Sequence, residues 1–186
     1  MRTCVALFAL WCAGAAAGGA DDISVEALRR GSAVHVSARA TLDAPLSVIW
    51  GTLTDFDRLA EFIPGMSRSR LLERRGNQAV VEQAGEARFL FFTFPIDVTL
   101  LSTARPPESL EVRALKGNLR RLDGGYRIEP APDGRYLLRW TGIVEPESAL
   151  PPLLGTAVMR ACIEDQFTGM VREIERREAL RRKSPP

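Results

Sequence analysis

LGTAVMRACIEDQFTGMVREIERREALRR, residues 154–182, decides the fold. Met159, Ile163, Phe167, Met170 and Ile174 recur at spacings of three and four, which places all five on one stripe of a helix. Pro151 and Pro152 suit the approach to a helix and not its interior, and no proline follows for roughly 28 residues, a length of about 42 Å at 1.5 Å per residue. A helix this long needs a large apolar partner. Almost everything before it reads as strand, so the sequence predicts a sheet curving around this helix. Whether the space between them is solid core or a pocket is the functional question.

The chain has 186 residues, with 25 Lys and Arg against 23 Asp and Glu. It opens on Met1-Arg2-Thr3, then an uncharged run over residues 4–17 and small residues to Ala20, ahead of Asp21 and Asp22. A basic start, an apolar stretch too short to span a bilayer comfortably and small residues before the first acids describe a secretory signal peptide, cleaved after Ala17 or Ala20. An uncleaved anchor is the alternative, and the short apolar run weighs against it. Trp11 before Cys12 weighs against lipoprotein processing, which wants a small residue there. The expectation is an exported, periplasmic protein with residues 1–20 as signal, 21–183 as one domain and 184–186 as a disordered tail.

Without Arg2 the net charge is about +1, so no global field points to nucleic acid and no such partner is expected. Cys162 is alone after residue 20, which excludes an internal disulfide and leaves hydrophobic burial to hold the fold. Its place beside Met159 and Ile163 favours a packed thiol over a reactive one. The sole histidine, His35, falls on the polar face of an alternating strand, so neither a histidine metal site nor a serine–histidine dyad can be built, and no metal or cofactor is expected.

Two strands are predicted over residues 23–42, the second with Val34, Val36, Ala38, Ala40 and Leu42 on one face. Asp43, Ala44 and Pro45 then start a short helix to about Leu53, carrying Leu46, Ile49 and Trp50. A second short helix runs from about Asp57 to Phe62 and stops before Ile63-Pro64. Asp55, Asp57 and Glu61 lack the alternating ligands and glycine of a calcium loop and read as caps and exposed charge. Between residues 67 and 144 turn signals separate strands near 67–74, 78–93, 95–104, 109–115, 119–129 and 135–144, with short connections that specify antiparallel neighbours. Ile96, Val98, Leu100, Leu110, Val112, Leu122, Tyr126, Ile128, Leu138, Trp140 and Val144 belong to the apolar face. Such a sheet wants one cover layer, which the terminal helix supplies.

Phe89, Leu90, Phe91, Phe92 and Phe94 break the alternation. Either the outer face there is covered by the N-terminal hairpin or by another chain, or the tract is a greasy wall or portal for a hydrophobic ligand. Glu82, Glu86 and Arg88 stand just upstream as polar groups for the mouth of such a pocket, with Gly85 permitting a bulge. On the terminal helix, Arg160, Glu164, Asp165, Arg172, Glu173, Glu175, Arg176, Arg177 and Glu178 lie off the stripe. Arg181, Arg182 and Lys183 complement the negative end of the helix dipole, and peripheral contact with anionic lipid is the sharper alternative.

Ala44-Pro45 opening a helix with Trp50, then Leu53-Thr54-Asp55-Phe56-Asp57, then Glu61-Phe62-Ile63-Pro64-Gly65, resembles the START-related polyketide cyclase/dehydrase family, which includes the coenzyme Q-binding proteins. The likeness runs from Val34 to Glu178, through the Pro-Pro-Leu-Leu entry of the last helix. It implies an α+β helix-grip fold, a curved antiparallel sheet of about six to seven strands around a long C-terminal helix with two short helices after the first main strand. It also implies a cavity between sheet and helix that holds a hydrophobic molecule. The residues expected there are Trp50 and Phe62 on the short helices, Phe89, Phe91, Val98, Tyr126 and Trp140 on the sheet, and Met159, Ile163 and Phe167 on the long helix. The expected function is a non-catalytic carrier of a lipid, quinone or polyketide-like molecule. The alternatives are a cyclase/dehydrase-type enzyme using Tyr126, Glu82 or Arg88, and an envelope interaction module built on the aromatic tract.

Overall fold

The computed structural model describes residues 21–89, 92–147 and 152–184. The expected signal peptide and the last two residues of the expected tail lie outside the described residues.

Val34, Val36, Ala38, Ala40 and Leu42 are all buried, and form the inner face of β2 (Ala33–Leu42). β1 (Asp21–Arg30) pairs antiparallel with it. The chain then enters α1 (Leu46–Leu53) through Pro45, and a 3-10 turn at Phe56–Arg58 leads into α2 (Leu59–Phe62). Ile63 is extended, as the residue before a proline must be, and ends α2. Six strands follow: β3 (Met66–Arg75), β4 (Gln78–Phe89), β5 (Phe92–Arg105), β6 (Ser109–Gly117), β7 (Leu119–Pro130) and β8 (Tyr136–Pro146). α3 (Pro152–Lys183) closes the fold.

All eight strands form one sheet in the order β1-β2-β8-β7-β6-β5-β4-β3, antiparallel throughout. The count exceeds the expected six to seven because β1 joins the same sheet as its edge strand. β3 to β8 are a meander of hairpins, and α1 with α2 carries the chain from β2 to the far edge. α3 packs against β1 and β2 on one side and β4 on the other, so the sheet wraps the helix. β4 and β5, which carry Phe89, Phe92 and Phe94, lie in the opposite half of the sheet from the N-terminal hairpin, so that hairpin does not cover them.

Register shifts leave one extra residue at Ser67, Leu72, Leu115 and Arg120. Bulges of this kind bend a strand and increase its twist, which is how the sheet gains curvature. They also explain two exposed leucines, since Leu72 and Leu115 are bulge residues. The bulge expected at Gly85 lies across the pairing at Ser67, while β4 keeps continuous register with β5.

α3 buries Phe167, Met170, Val171 and Ile174, each worth about 1.5–3 kcal/mol for removal from water. Two residues expected off the stripe are buried as well: Glu173 is 6% and Glu178 3% exposed. α1 covers the C-terminal half of α3, so a second face of the helix is occluded there. Glu173 accepts from Arg176 Nε at 2.6 Å and Arg177 Nε at 2.7 Å, and Glu178 from Arg181 Nε at 2.7 Å and Arg182 Nε at 2.5 Å. Arg177 reaches on to Asp55 at 2.8 Å and Arg182 to Asp43 at 3.0 Å. Of the acids expected as caps and exposed charge, Asp57 and Glu61 are exposed, but among the described residues no side chain caps α1 or the 3-10 turn: Asp57 accepts the Leu71 N–H at 2.8 Å, and Glu61 pairs with Arg58 at 2.9 Å.

Candidate ligand-binding cavity

Sheet and helix do not close completely. An outer cavity of about 250 Å³ is lined by Phe94, Ile96 and Val98 of β5, Leu119 and Leu122 of β7, Val144 of β8, and Val158, Met159, Cys162 and Ile163 of α3. Deeper in lies a second cavity of about 140 Å³, walled by Leu100, Tyr126, Trp140, Phe167 and Met170 and floored by Leu53, Phe56 and Leu59. Met66, Gln83, Leu122, Ile163 and Gln166 line both. On its other side the outer cavity continues past Gly65, Gly85, Glu86, Pro95 and Cys162 into a surface cleft that also touches Arg88 and Asp165.

The inner space exists because of how two aromatic rings lie. The Trp140 ring folds over Gly142, where an added Cβ would sit 2.5 Å from it, so the indole lies along the sheet and leaves room below α3. Tyr126 stacks on Phe167 with centroids 6.5 Å apart and planes 10° apart, which joins sheet to helix at the cavity wall. Such stacks add about 0.5–1.5 kcal/mol beyond burial.

Neutral chemistry dominates the site. Among the described residues Tyr126 is the only ionisable one lining the inner cavity, and burial pushes its phenol well above the ordinary range. It stays a neutral phenol, able to donate or accept a hydrogen bond. Burial, with Asp165 adding to it, pushes the Cys162 thiol up to about 11, so the sulfur stays protonated. Among the described residues no three His, Cys, Asp or Glu gather as a metal would require.

Of the residues expected at the cavity, Val98 and Met159 line the outer part, Ile163 lines both, and Tyr126, Trp140 and Phe167 line the inner part. Trp50 and Phe62 line neither. Trp50 packs at the margin of the core, and Phe62 lies under the Arg177 guanidinium, 5.4 Å from its ring centre. Phe91 and the side chain of Phe89 lie outside the described residues, while Phe94 of the same tract does line the outer cavity. Glu82 turns to the other face of β4 and pairs with Arg68 at 3.2 Å. Its neighbour Gln83 faces in. Period-two alternation carries that signal, because Val81 and Ala87 share Gln83's face and both are buried. Gln166 adjoins Phe167 on α3 and was hidden by its polarity.

A sequence profile described as polyketide cyclase/dehydrase and lipid transport matches residues 42–171. The chain belongs to that family. The match includes every residue shared by the two cavities. In the comparison with curated proteins, nothing matches. Among solved structures this family member is similar to the Zhui aromatase/cyclase from Streptomyces sp. R1128, with TM-score 0.66 and 20% identity over 82% of this chain and 96% of that one. It is similar also to a STAR-related lipid transfer protein from Xanthomonas axonopodis, with TM-score 0.63 and 12% identity over 83% and 99% of the two chains. Human STARD10 gives TM-score 0.63 and 12% identity over 87% and 76%. At such identities the likeness is one of fold: a curved antiparallel sheet gripping a long C-terminal helix.

Proposed function

We propose that this polyketide cyclase/dehydrase family member binds and carries a hydrophobic small molecule, such as a lipid, quinone or polyketide-like compound, under α3. The carrying observation is the two-part apolar cavity, closed at one end by Trp140 and Phe167 and continuous at the other with a surface cleft. Family membership and fold likeness to lipid transfer proteins support the reading. Buried apolar pockets with few polar groups suit ligands of this class. The test is native mass spectrometry after mild extraction, which is expected to show a co-purified mass of lipid size. A folded protein that carries nothing and takes up no hydrophobic dye would overturn it.

One observation favours an enzyme as the second reading: the Tyr126 hydroxyl, desolvated inside the cavity, is free to donate to a carbonyl or enolate of a bound substrate. General acid–base catalysis works best with a group titrating near the operating pH, and this phenol is far from it, which ranks the carrier first. Turnover that vanishes in Tyr126→Phe with binding intact would reverse the order. We also propose a periplasmic location, on the strength of the uncharged run over residues 4–17; cell fractionation that finds the protein in the cytosol would remove it. Membrane contact through Arg181, Arg182 and Lys183 has less support, because Arg181 and Arg182 are already paired with Glu178.

A further inference from the structure

Gln83 of β4 and Gln166 of α3 face the junction of the two cavities from opposite walls. Gln83 stands in an otherwise apolar row, and its carboxamide makes no hydrogen bond to the protein among the described residues. Among the described residues Gln166 Nε2 donates only to Cys162 Sγ, 3.6 Å away, and thiol sulfur is a weak acceptor. Asn118 makes the contrast. It also lines the outer cavity, but its Nδ2 already donates to Pro95 O at 2.7 Å and its Oδ1 accepts from Asp97 N at 3.1 Å, which fixes a turn. Neither carboxamide is sealed off as a buried unpaired group, so both are open to exchange solvent for a polar group of a ligand in an otherwise apolar space.

Resting on the carrier reading, we propose that the ligand is an uncharged, elongated molecule with a carbonyl part-way along it, held by the amide N–H groups of Gln83 and Gln166. One apolar arm enters the inner cavity against Trp140 and Phe167, and the other lies in the outer cavity along Val98 and Met159. The charge distribution selects for neutrality. Among the described residues no charged side chain lines the inner cavity, Glu86 and Glu147 border the outer one, and Asp165 stands in the cleft beyond. Arg88 in that cleft is held by Glu86. A carboxylate would meet like charge at the entrance and desolvation inside, whereas a ketone, ester or amide meets neither. The buried hydroxyls of Ser102 and Tyr126, also neutral, complete the polar lining of the inner end.

The experiment is displacement of a bound naphthylamine dye by three probes of equal chain length: a mid-chain dialkyl ketone, the n-alkane and the fatty carboxylate. The ketone is expected to displace dye about tenfold better than the alkane, the scale of one or two well-made hydrogen bonds, and the carboxylate worst. Gln83→Leu and Gln166→Leu are each expected to bring the ratio of ketone to alkane displacement close to one. Gln83→Met serves in place of a leucine variant that fails to fold. Ketone and alkane binding alike in the wild type, or variants that weaken both equally, would overturn the inference and leave the carrier reading standing. Failure of the dye and all three probes to bind would overturn both.

Discussion

Glu173 and Glu178 are carboxylates that burial ought to neutralise and that hydrogen bonds keep charged. Arg176 contributes most at Glu173, with Arg177 second and burial opposing, and the net result lowers the carboxyl from 4.5 to about 2. Glu178 is lowered to about 2 in the same way, first by Arg181 and then by Arg182. Because the folded value lies below the unfolded one, the stabilisation is fully present above the unfolded value of 4.5 and is lost as pH falls toward 2. The urea midpoint should be level from neutrality down to about pH 5 and then fall progressively, and the Glu173→Gln, Glu178→Gln double variant should show a shallower fall. A wild type with no extra slope over the variant would mean that these pairs do not form in solution. Tyr126 poses the opposite case, a hydroxyl with no hydrogen-bond partner among the described residues. Tyr126→Phe should leave stability within about 0.5 kcal/mol, whereas Tyr126→Ala, which removes the stack on Phe167, should cost about 3–5 kcal/mol in chemical denaturation.

α3 closely approaches the end of α2 and the turn after it at Gly169. An alanine in a helix interior normally gains about 1 kcal/mol over glycine. Here its Cβ would sit 2.5 Å from Pro64 Cδ and 2.6 Å from Phe62 O, a proline ring and a backbone carbonyl that no rotamer change moves aside. The packing conflict should win, so Gly169→Ala is expected to destabilise by about 1–3 kcal/mol as a lowered urea midpoint, with the helix displaced from Pro64. A raised midpoint would show that the helices stand further apart. Most of these elements were legible in the chain, since period-two alternation along residues 34–42 and 96–144 and the three-and-four spacing on α3 follow directly from which faces are buried. What the pattern could not carry was anything set by a partner element. Glu173 and Glu178 lie off the apolar stripe, and their burial comes from elements packed on another side of α3. Glu82 is expected at the pocket mouth, but it faces Arg68, and the inward face of β4 carries Gln83 one position along. The cavity itself depends on the Trp140 ring lying over Gly142, a tertiary choice with no periodic signature.

Viewed end to end, α3 is held unequally, and that asymmetry separates structure from function. Its C-terminal half is tied to the rest of the fold by Arg177 to Asp55 and Arg182 to Asp43, around the buried Met170, Val171 and Ile174. Toward its N-terminal half, Arg160 Nε donates to Val25 O at 3.2 Å, and Val158, Met159, Cys162 and Ile163 line the outer cavity, with Met159 and Ile163 only partly buried at the edge of the core. Filling the void from this half should therefore cost little and remove binding. Ile163 is the place to do it, because its side chain borders both cavities. In a well-packed core an added group of that size costs about 1–3 kcal/mol through strain. Next to about 250 Å³ of empty space on one side and about 140 Å³ on the other, the ring of Ile163→Phe has somewhere to go. The ligand-free variant should melt within about 3 °C of wild type, equivalent to about 1 kcal/mol for a chain of this size. A ligand at a hundred times its dissociation constant stabilises its host by about 2.7 kcal/mol, which is a rise of roughly 5–10 °C. Wild type should show that rise with a hydrophobic ligand in a thermal-shift experiment, and Ile163→Phe should lose it. If the variant keeps the full rise, the ligand lies elsewhere on the molecule and the space under α3 is only imperfect packing.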